Sequence, residues 1–182
     1  PLRIGASTLL VERPSPEALL DVVEKHRPTV LFTAPTSYRA MALACAGRDL
    51  ASLRKCVSAG EALPAATRKL WKDATGIDII DGIGSTEMLH IFLSNRPGDV
   101  RYGTTGWPVP GYEIELRGED GGAVPDGETG NLYIQGPSAA MMYWGNREKT
   151  RDTFQGGWTK SGDKYLRNAD GTYTYCGRSD DM

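Results

Sequence analysis

The sequence predicts an α/β fold, in which an open, mostly parallel sheet with packed helices is followed by a small β-rich subdomain, a distorted barrel. Helical and extended patterns alternate over the first part of the chain, and short strands between Gly- and Pro-rich turns fill the rest. The composition, with 40% hydrophobic and 24% charged residues in a length of 182, is that of an ordinary globular domain. We therefore place an α/β subdomain at 1–96 and a β-rich subdomain at 97–178.

The first subdomain is expected to contain three helices and three strands in alternation. Ser15 can cap a helix that carries Pro16 in its first turn and runs to His26. Pro64 opens the third helix, and the pair 75–76 closes it. The expected strands cover 29–33, 55–58 and 77–80, with the middle helix at 37–46.

The composition of the sequence changes after Asn95, where Gly and Pro become frequent. Short strands are expected at 112–117, 131–135 and 173–176, with Gly-rich turns between them. One short helix, at about 147–154, interrupts them. These features predict the small β-rich unit.

Charge and cysteine content exclude several classes of function. The formal net charge of −2 gives no electrostatic reason to expect nucleic acid as a partner. No apolar run approaches the ~20 residues that a membrane-spanning helix needs, so no membrane association is expected. Three scattered cysteines, Cys45, Cys56 and Cys176, argue against disulfides or a zinc site and favour a reducing cytoplasm. With only His26 and His90, a centre of several histidines is not expected.

The stretch Asp81–Glu87 is the most informative motif, because it is expected to join a strand to a helix at the ligand-binding edge of the sheet. Gly82 and Gly84 let a flat ring or a phosphate approach the backbone. Thr86 offers a hydroxyl to a phosphate oxygen, and Glu87 offers a carboxylate suited to Mg²⁺. A plain Gly-rich turn with a capped helix explains the same residues about as well.

Three further stretches shift this balance towards a functional site. Ser58–Leu63 is another turn at a strand end, Ser161–Asp163 places a carboxylate after a glycine turn, and 177–181 sets a cation beside two carboxylates. Each has a structural explanation, with Asp163 as a turn former and Arg178 in a surface salt bridge. Occurring together and in this order, they favour a nucleotide site.

At this point the sequence resembles the adenylate-forming enzymes, the AMP-dependent acyl-CoA synthetase superfamily, over essentially the whole chain. The resemblance is carried by Pro35–Tyr38, Ser58–Leu63, Asp81–Glu87, Gly103–Gly106, Ser161–Asp163 and Gly177–Arg178. Within the family, Gly84–Asn95 is similar to the aryl-CoA ligases of aromatic-compound catabolism, the benzoate-CoA ligases in particular.

The resemblance implies a residue-by-residue nucleotide site. Adenine would lie against Gly60, Glu61 and Ala62, with Asp81, Gly82 and Ile83 at its edge. Thr86 would bind the α-phosphate and Glu87 the Mg²⁺, as the two catalytic positions. The ribose hydroxyls would be held by Asp163 and Arg178, with Tyr175 stacked nearby.

The substrate side and the hinge are also implied by the resemblance. Gly84 and His90 would border the pocket for the aromatic acid, although from the residues alone His90 is better explained as a satisfied core side chain. Asp180 matches the hinge, at 179–182, to a C-terminal domain that would follow. Ser161 stands where the family usually has Thr, and Asn131 stands where Glu is common.

The implied reaction joins a carboxylate to coenzyme A in two steps. The acid attacks the α-phosphate of ATP and gives an acyl-adenylate and pyrophosphate, and the thiol of CoA then releases AMP. The family's phosphate loop and its adenylation lysine would lie outside these residues, so we expect an internal fragment that is inactive alone. Partners would be an aromatic acid, ATP and CoA, with a homodimer neither required nor excluded.

Two alternatives stay open. Another acid, fatty or amino, could be activated by the same chemistry, and the fragment could bind a nucleotide without turnover or have a purely structural role. A dinucleotide-dependent dehydrogenase is poorly supported, because no G-x-G-x-x-G follows a strand. A serine hydrolase is also poorly supported, because Ser85 lacks the glycines of a nucleophile elbow.

Overall fold

A computed structural model describes residues 2–179, and it confirms the predicted fold class, an α/β region followed by an antiparallel β region. The first sheet has the strand order β1-β2-β3-β4-β5. Its first three strands are parallel, and its last two run antiparallel to their neighbours, so the sheet is partly parallel. The strands are β1 (Val30–Thr33), β2 (Lys55–Ser58), β3 (Ile79–Gly84), β4 (Ile91–Ser94) and β5 (Trp107–Pro108).

Three helices pack with this sheet: α1 (Pro16–His26), α2 (Pro35–Ala44) and α3 (Ala65–Thr75). The Ser15 hydroxyl accepts a hydrogen bond from the Ala18 amide, which satisfies one of the free donors of the first turn of α1. Tyr38 and Trp71 are fully buried, with their rings edge to face at 5.0 Å. The Tyr38 hydroxyl lies 2.9 Å from the Leu31 carbonyl, which ties α2 to β1.

The second sheet is antiparallel throughout, in the order β10-β9-β7-β6, with the short strand β8 paired to β9. Its strands are β6 (Glu113–Arg117), β7 (Thr129–Gln135), β8 (Phe154–Gln155), β9 (Trp158–Arg167) and β10 (Tyr173–Arg178), and helix α4 (Arg147–Thr153) precedes β8. Its core contains Met88, Phe92 and Leu93 from the first sheet region as well as Leu132 and Ile134. The two sheets therefore share buried residues.

Two local predictions are wrong. The helix expected after Glu87 is a turn, because hydrogen bonds from Met88 to Ser85 and from Leu89 to Thr86 close it and Leu89 adopts a φ of 70°. This left-handed residue reverses the chain, so β4 returns beside β3. The glycine turn expected at 161–163 lies inside the ten-residue strand β9, which the sequence analysis did not find.

A bridge between Gly106 and Tyr173 joins the sheets: the Thr105 amide donates to the Tyr173 carbonyl and the Tyr173 amide donates to the Gly106 carbonyl, each at 2.8 Å. A side chain at Gly106 would collide with the backbone of Ser94, so the close approach requires glycine there. The division predicted at residue 96 stays a proposal, and the first sheet extends to Pro108. Within residues 2–179, no helix has the length and apolar character to cross a membrane.

Candidate functional site

A cleft of about 920 Å³ lies between the two sheets. It brings together every described residue that the sequence analysis assigned to the nucleotide, from both halves of the chain. These residues are Gly60, Glu61, Ala62, Asp81, Gly82, Ile83, Gly84, Thr86, Glu87, Asp163, Tyr175 and Arg178. His90 is not among the residues that line the cleft, and Asp180 lies outside the described residues.

One wall of the cleft, which we call the first wall, is built from the ends of β2 and β3 and the loops that follow them. Ser58, the last residue of β2, is the register partner of Asp81 in β3, so the loop that follows β2 begins beside the second half of β3. Gly60 has a φ of 94°, a left-handed conformation that favours glycine, and it exposes the loop backbone to the cleft. The predicted adenine residues are thereby neighbours in space.

Asp81 is buried on this wall, and its burial raises the pKa of the carboxyl to about 7. The charge of Arg68 and a hydrogen bond from the Gly82 amide oppose the effect of burial without cancelling it. The guanidinium of Arg68 lies 4.8 Å from the ring centre of Tyr102. The Nη1 atom of Arg68 is buried, and it has no hydrogen-bond partner among residues 2–179.

The sequence analysis missed Arg68, although it is 5% exposed and lines the cleft. A charged residue on an amphipathic helix is ordinarily solvated, so its position in α3 gave no reason to select it. The signal that could have found it is its place near the N-terminus of a helix that follows one of the site loops.

Glu87 is held by residues far along the chain. The Tyr143 hydroxyl donates a 2.5 Å hydrogen bond to its Oε1 atom, and the Ala140 amide donates to its backbone carbonyl at 2.7 Å. The Ser138 hydroxyl donates to the neighbouring Met88 carbonyl at 2.6 Å. The segment 138–143 therefore crosses over the turn 85–90 and fixes it, and we call this segment the strap.

The strap also sets the charge state of Glu87. Burial by itself raises the pKa of this carboxyl, but the hydrogen bond from Tyr143 lowers it, as do bonds from its own amide and from Ser85. The positive charge of Lys149 acts in the same direction. The pKa of Glu87 therefore lies below its ordinary value, which leaves an anionic oxygen for a cation. Sequence reasoning missed both Tyr143 and Lys149, since no local pattern signals an interaction with a residue so far back in the chain, 56 positions in the case of Tyr143.

The opposite wall, the second wall, contains Asp163 on β9 and Arg178 on β10, which are register partners in adjacent strands. Arg178 Nη1 lies 3.4 Å from Asp163 Oδ1, and the Asp163 carboxyl is the more buried of the two groups. Gly162 has a φ of 81°, and Ser161 Oγ accepts a hydrogen bond from the Asp163 amide at 3.0 Å. The hydroxyl of Ser161 thus performs a local structural task for which either Ser or Thr suffices.

Asn131 supports this wall from behind. Its side-chain oxygen accepts a 3.1 Å hydrogen bond from the Ser179 hydroxyl, and the Ser179 amide donates to the Gly162 carbonyl at 2.9 Å. Ser179, the first residue of the predicted hinge, is therefore fixed to both β7 and β9.

The interpretation of His90 as a core residue is wrong, because the side chain is exposed. Its Nε2 atom lies 3.1 Å from the hydroxyl of Tyr112, and its Nδ1 atom lies 2.7 Å from the Ile91 carbonyl. The assignment of His90 to a substrate pocket stays a prediction.

In the described part of the chain, no three His, Cys, Asp or Glu side chains cluster as a metal site would require. This result does not conflict with the role predicted for Glu87. Mg²⁺ at nucleotide sites commonly takes one or two protein carboxylates and completes its shell with phosphate oxygens and water. A single anionic carboxylate on the cleft wall fits that pattern.

The fold and the cleft define the class of protein. Residues 1–144 match the family of AMP-binding enzymes, and the chain belongs to that family. It is 53% identical to the benzoate–CoA ligase of Thauera aromatica, over 100% of this chain and 35% of that protein.

Two crystal structures are also similar. An anthranilate CoA ligase, AuaEII, solved in complex with anthranoyl-AMP, has a TM-score of 0.93 and 52% identity, over 98% of this chain and 35% of that one. A benzoate CoA ligase from Burkholderia xenovorans LB400 has a TM-score of 0.86 and 58% identity, over 94% and 36%. The chain thus spans about a third of the length of the relatives it matches.

Proposed function

We propose that this chain provides the nucleotide-binding cleft of an AMP-forming aryl-CoA ligase, which activates an aromatic carboxylate such as benzoate. The observation that carries the proposal is the meeting of Thr86, Asp163 and Arg178 in one cleft, although they lie on three separate segments. Similarity to aryl-CoA ligases over the whole chain supports the aromatic substrate class.

The second wall is suited to a ribose. The carboxylate of Asp163 can accept hydrogen bonds from two adjacent hydroxyls, because an ionised carboxyl offers about four acceptor sites. The guanidinium of Arg178 lies beside it and orients the carboxylate. Tyr175 contributes a partly exposed ring that packs edge to face on Tyr165 at 5.5 Å, and this ring can flank the nucleoside.

The first wall is suited to the adenine and the phosphate. The backbone of 60–62 and of 81–83 can contact a flat base, and the Thr86 hydroxyl can donate to a phosphate oxygen. Glu87 would hold Mg²⁺, which neutralises phosphate charge when it is bound. The low pKa of Glu87 keeps that carboxyl anionic at neutral pH.

The chemistry proposed for the complete ligase has two steps and needs no protein nucleophile. The aromatic carboxylate attacks the α-phosphorus of ATP and pyrophosphate leaves, and the CoA thiolate then attacks the acyl carbon and AMP leaves. This chain's residues position the nucleotide and stabilise developing charge on the phosphate oxygens. The three cysteines are free, which agrees with a reducing cytoplasm as the proposed location. The ligase would act there as a monomer or a homodimer.

The direct test is equilibrium dialysis of AMP against the 182-residue chain. We expect saturable binding that Asp163→Asn weakens at least about tenfold, since hydrogen bonds to a charged group are worth roughly 1.5–3 kcal/mol. Asp126→Asn is the matched control, because Asp126 pairs with Arg167 at the surface and does not line the cleft. The absence of saturable binding in the unsubstituted chain would favour a purely structural fragment.

A chimera tests the reaction and the acid. This chain would replace the matching segment of the Thauera aromatica benzoate–CoA ligase, and acid-dependent ATP–pyrophosphate exchange would be measured with benzoate, hydroxybenzoates, fatty acids and amino acids. We expect exchange with benzoate in the chimera and none with the 182-residue chain alone. Exchange by the chain alone, or a preference for a fatty or amino acid, would contradict the proposal in that form.

A further inference from the structure

Four hydrogen-bond contacts form a series that links His90 to the strap through Tyr112. His90 Nδ1 lies 2.7 Å from the Ile91 carbonyl, and Nε2 lies 3.1 Å from the Tyr112 hydroxyl. The Tyr112 hydroxyl lies 2.6 Å from the Ser138 hydroxyl, which in turn donates to the Met88 carbonyl at 2.6 Å. The series therefore begins at the carbonyl oxygen of Ile91, in β4, and ends at the carbonyl oxygen of Met88, in the turn 85–90.

The hydrogens in this network can be counted. Both terminal carbonyls only accept, so His90 must carry a hydrogen on Nδ1 and Ser138 must donate to Met88. The Tyr112 hydroxyl then has one hydrogen for two neighbours, Nε2 and Ser138. With neutral side chains, three hydrogens serve four contacts, so the hydrogen of the Tyr112 hydroxyl is shared between Nε2 and Ser138. In every arrangement that keeps the contact with Ile91, Nδ1 bears hydrogen.

The backbone around this network is shaped to hold it. A side chain at Gly136 would collide with the ring of Tyr112, and one at Gly84 would collide with the backbone of His90. Leu89 precedes the histidine with a φ of 70° although it is not glycine, and its side chain is exposed. Strained residues of this kind persist only where the surroundings impose them, and they concentrate at functional sites.

We propose that Tyr112 and Ser138 are positioning residues that fix the imidazole of His90, with hydrogen on Nδ1 and both nitrogens engaged. An aromatic substrate that meets His90 in this state contacts only the carbon atoms of the ring. His90 would then recognise the shape of the aromatic acid and would not read polar substituents on it. This last consequence rests on the proposed function, whereas the orientation of the ring does not.

The titratable group in contact with His90 is the phenol of Tyr112, on the loop before β6. Glu87, on the same turn as His90, is held by Tyr143 of the strap. The network is therefore distinct from the contact that fixes the predicted metal ligand.

Imidazole ¹⁵N NMR spectra of the 182-residue chain test the orientation directly. The chain has only two histidines, so His26→Gln assigns the signals of His90 and His26 serves as an internal reference. We expect His90 to carry hydrogen on Nδ1, with or without a second hydrogen on Nε2. A neutral His90 with hydrogen on Nε2 alone would overturn the proposal, and no variant has to fold for that result.

Two variants then assign the effect to the positioning residues. Tyr112→Phe and Ser138→Ala should each shift the His90 nitrogen signals towards those of His26, while Ser138→Thr, which keeps the hydroxyl, should restore them. If the variants fold, as judged by their amide spectra, and the His90 signals do not move, the positioning role is contradicted.

Ligand binding separates this proposal from the proposed function. Tyr112→Phe should weaken a sulfamoyl analogue of benzoyl-AMP about fivefold, the equivalent of one lost hydrogen bond, and should leave AMP affinity within about twofold. Unchanged affinity for the analogue would overturn the substrate part alone. Failure of the unsubstituted chain to bind AMP would overturn the proposed function and leave the NMR result to stand for the orientation of His90.

Discussion

The two walls of the cleft place their residues at the proposed nucleotide site by different structural routes. On the first wall, the parallel pairing of β2 with β3 places the loop that follows β2 beside Asp81–Gly84 in the second half of β3. On the second wall, Asp163 and Arg178 lie within long antiparallel strands. There the site depends on an irregular backbone, with Gly162 at φ 81° and a register shift between Tyr175 and Gly177. The parallel pairing of β2 with β3 places the first wall, which ends in a register shift between Ile83 and Gly84, whereas both charged residues of the second wall depend on irregular backbone within antiparallel strands.

The walls also differ in how they tolerate an added methyl group, and this difference gives the largest predicted effect. A Cβ atom at Gly84 meets the backbone of His90, which cannot move without displacing β4, so Gly84→Ala should cost about 3 kcal/mol or more of stability. At Gly162 the nearest atom is the flexible end of Arg178, at 3.1 Å, and the left-handed φ adds only about 1–2 kcal/mol. Urea denaturation of both variants measures the difference. Equal losses would show that the two walls are equally rigid.

The buried carboxyl of the first wall predicts a pH dependence of stability. The folded chain keeps a proton on Asp81 up to about pH 7, whereas an unfolded aspartate releases it near pH 3.9. Between these values the folded state binds more protons, so the free energy of unfolding falls as the pH rises. The fall due to this group should be about 2–3 kcal/mol between about pH 5 and about pH 8.

Asp81→Asn removes this titration and serves as the comparison for the pH experiment. Urea denaturation of both proteins at the two pH values should give a smaller fall for the variant, whatever the other groups contribute. A fall of the same size in Asp81→Asn would contradict the assignment to Asp81.

The smallest effect is expected at the strap, which joins the first wall to the second sheet. Tyr143→Phe removes the hydrogen bond that orients the Glu87 carboxylate, and this loss of orientation should reduce the Mg²⁺-dependent gain in ATP affinity about fivefold, the equivalent of one hydrogen bond. Isothermal titration of the chain with ATP, with and without Mg²⁺, measures that gain. Tyr102→Phe is the control, because its hydroxyl binds Asp78 outside the cleft. An unchanged gain in Tyr143→Phe would remove Tyr143 from the site.

The sequence predicted the strands and loops of the first wall, but it missed Arg68 and wrongly placed a helix after Glu87, and it predicted the second wall only in part. Alternating helix and strand patterns predicted α1 and α3 and the parallel strands because their apolar spacing is local. Strand β9 was missed because Ser161, Gly162 and Asp163 interrupt its pattern with turn-forming residues, although antiparallel partners on both sides keep it extended. Motifs identified the residues of the site without showing how they are supported. The support given by Tyr143 and Ser138 involves contacts across 56 and 50 residues, which no local pattern encodes.

The strap has a consequence for the order in which the molecule is built. A ribosome releases the turn 85–90 well before it releases the residues that hold that turn, since the bonded pairs are 50 and 56 residues apart. Nascent chains fold from their N-terminal parts first. The helices and parallel strands of the first sheet can therefore assemble early, while the turn 85–90 takes its final shape only when the strap emerges. The proposed nucleotide site would then be completed late in translation, and a chain terminated before residue 138 would lack the contacts that fix Glu87.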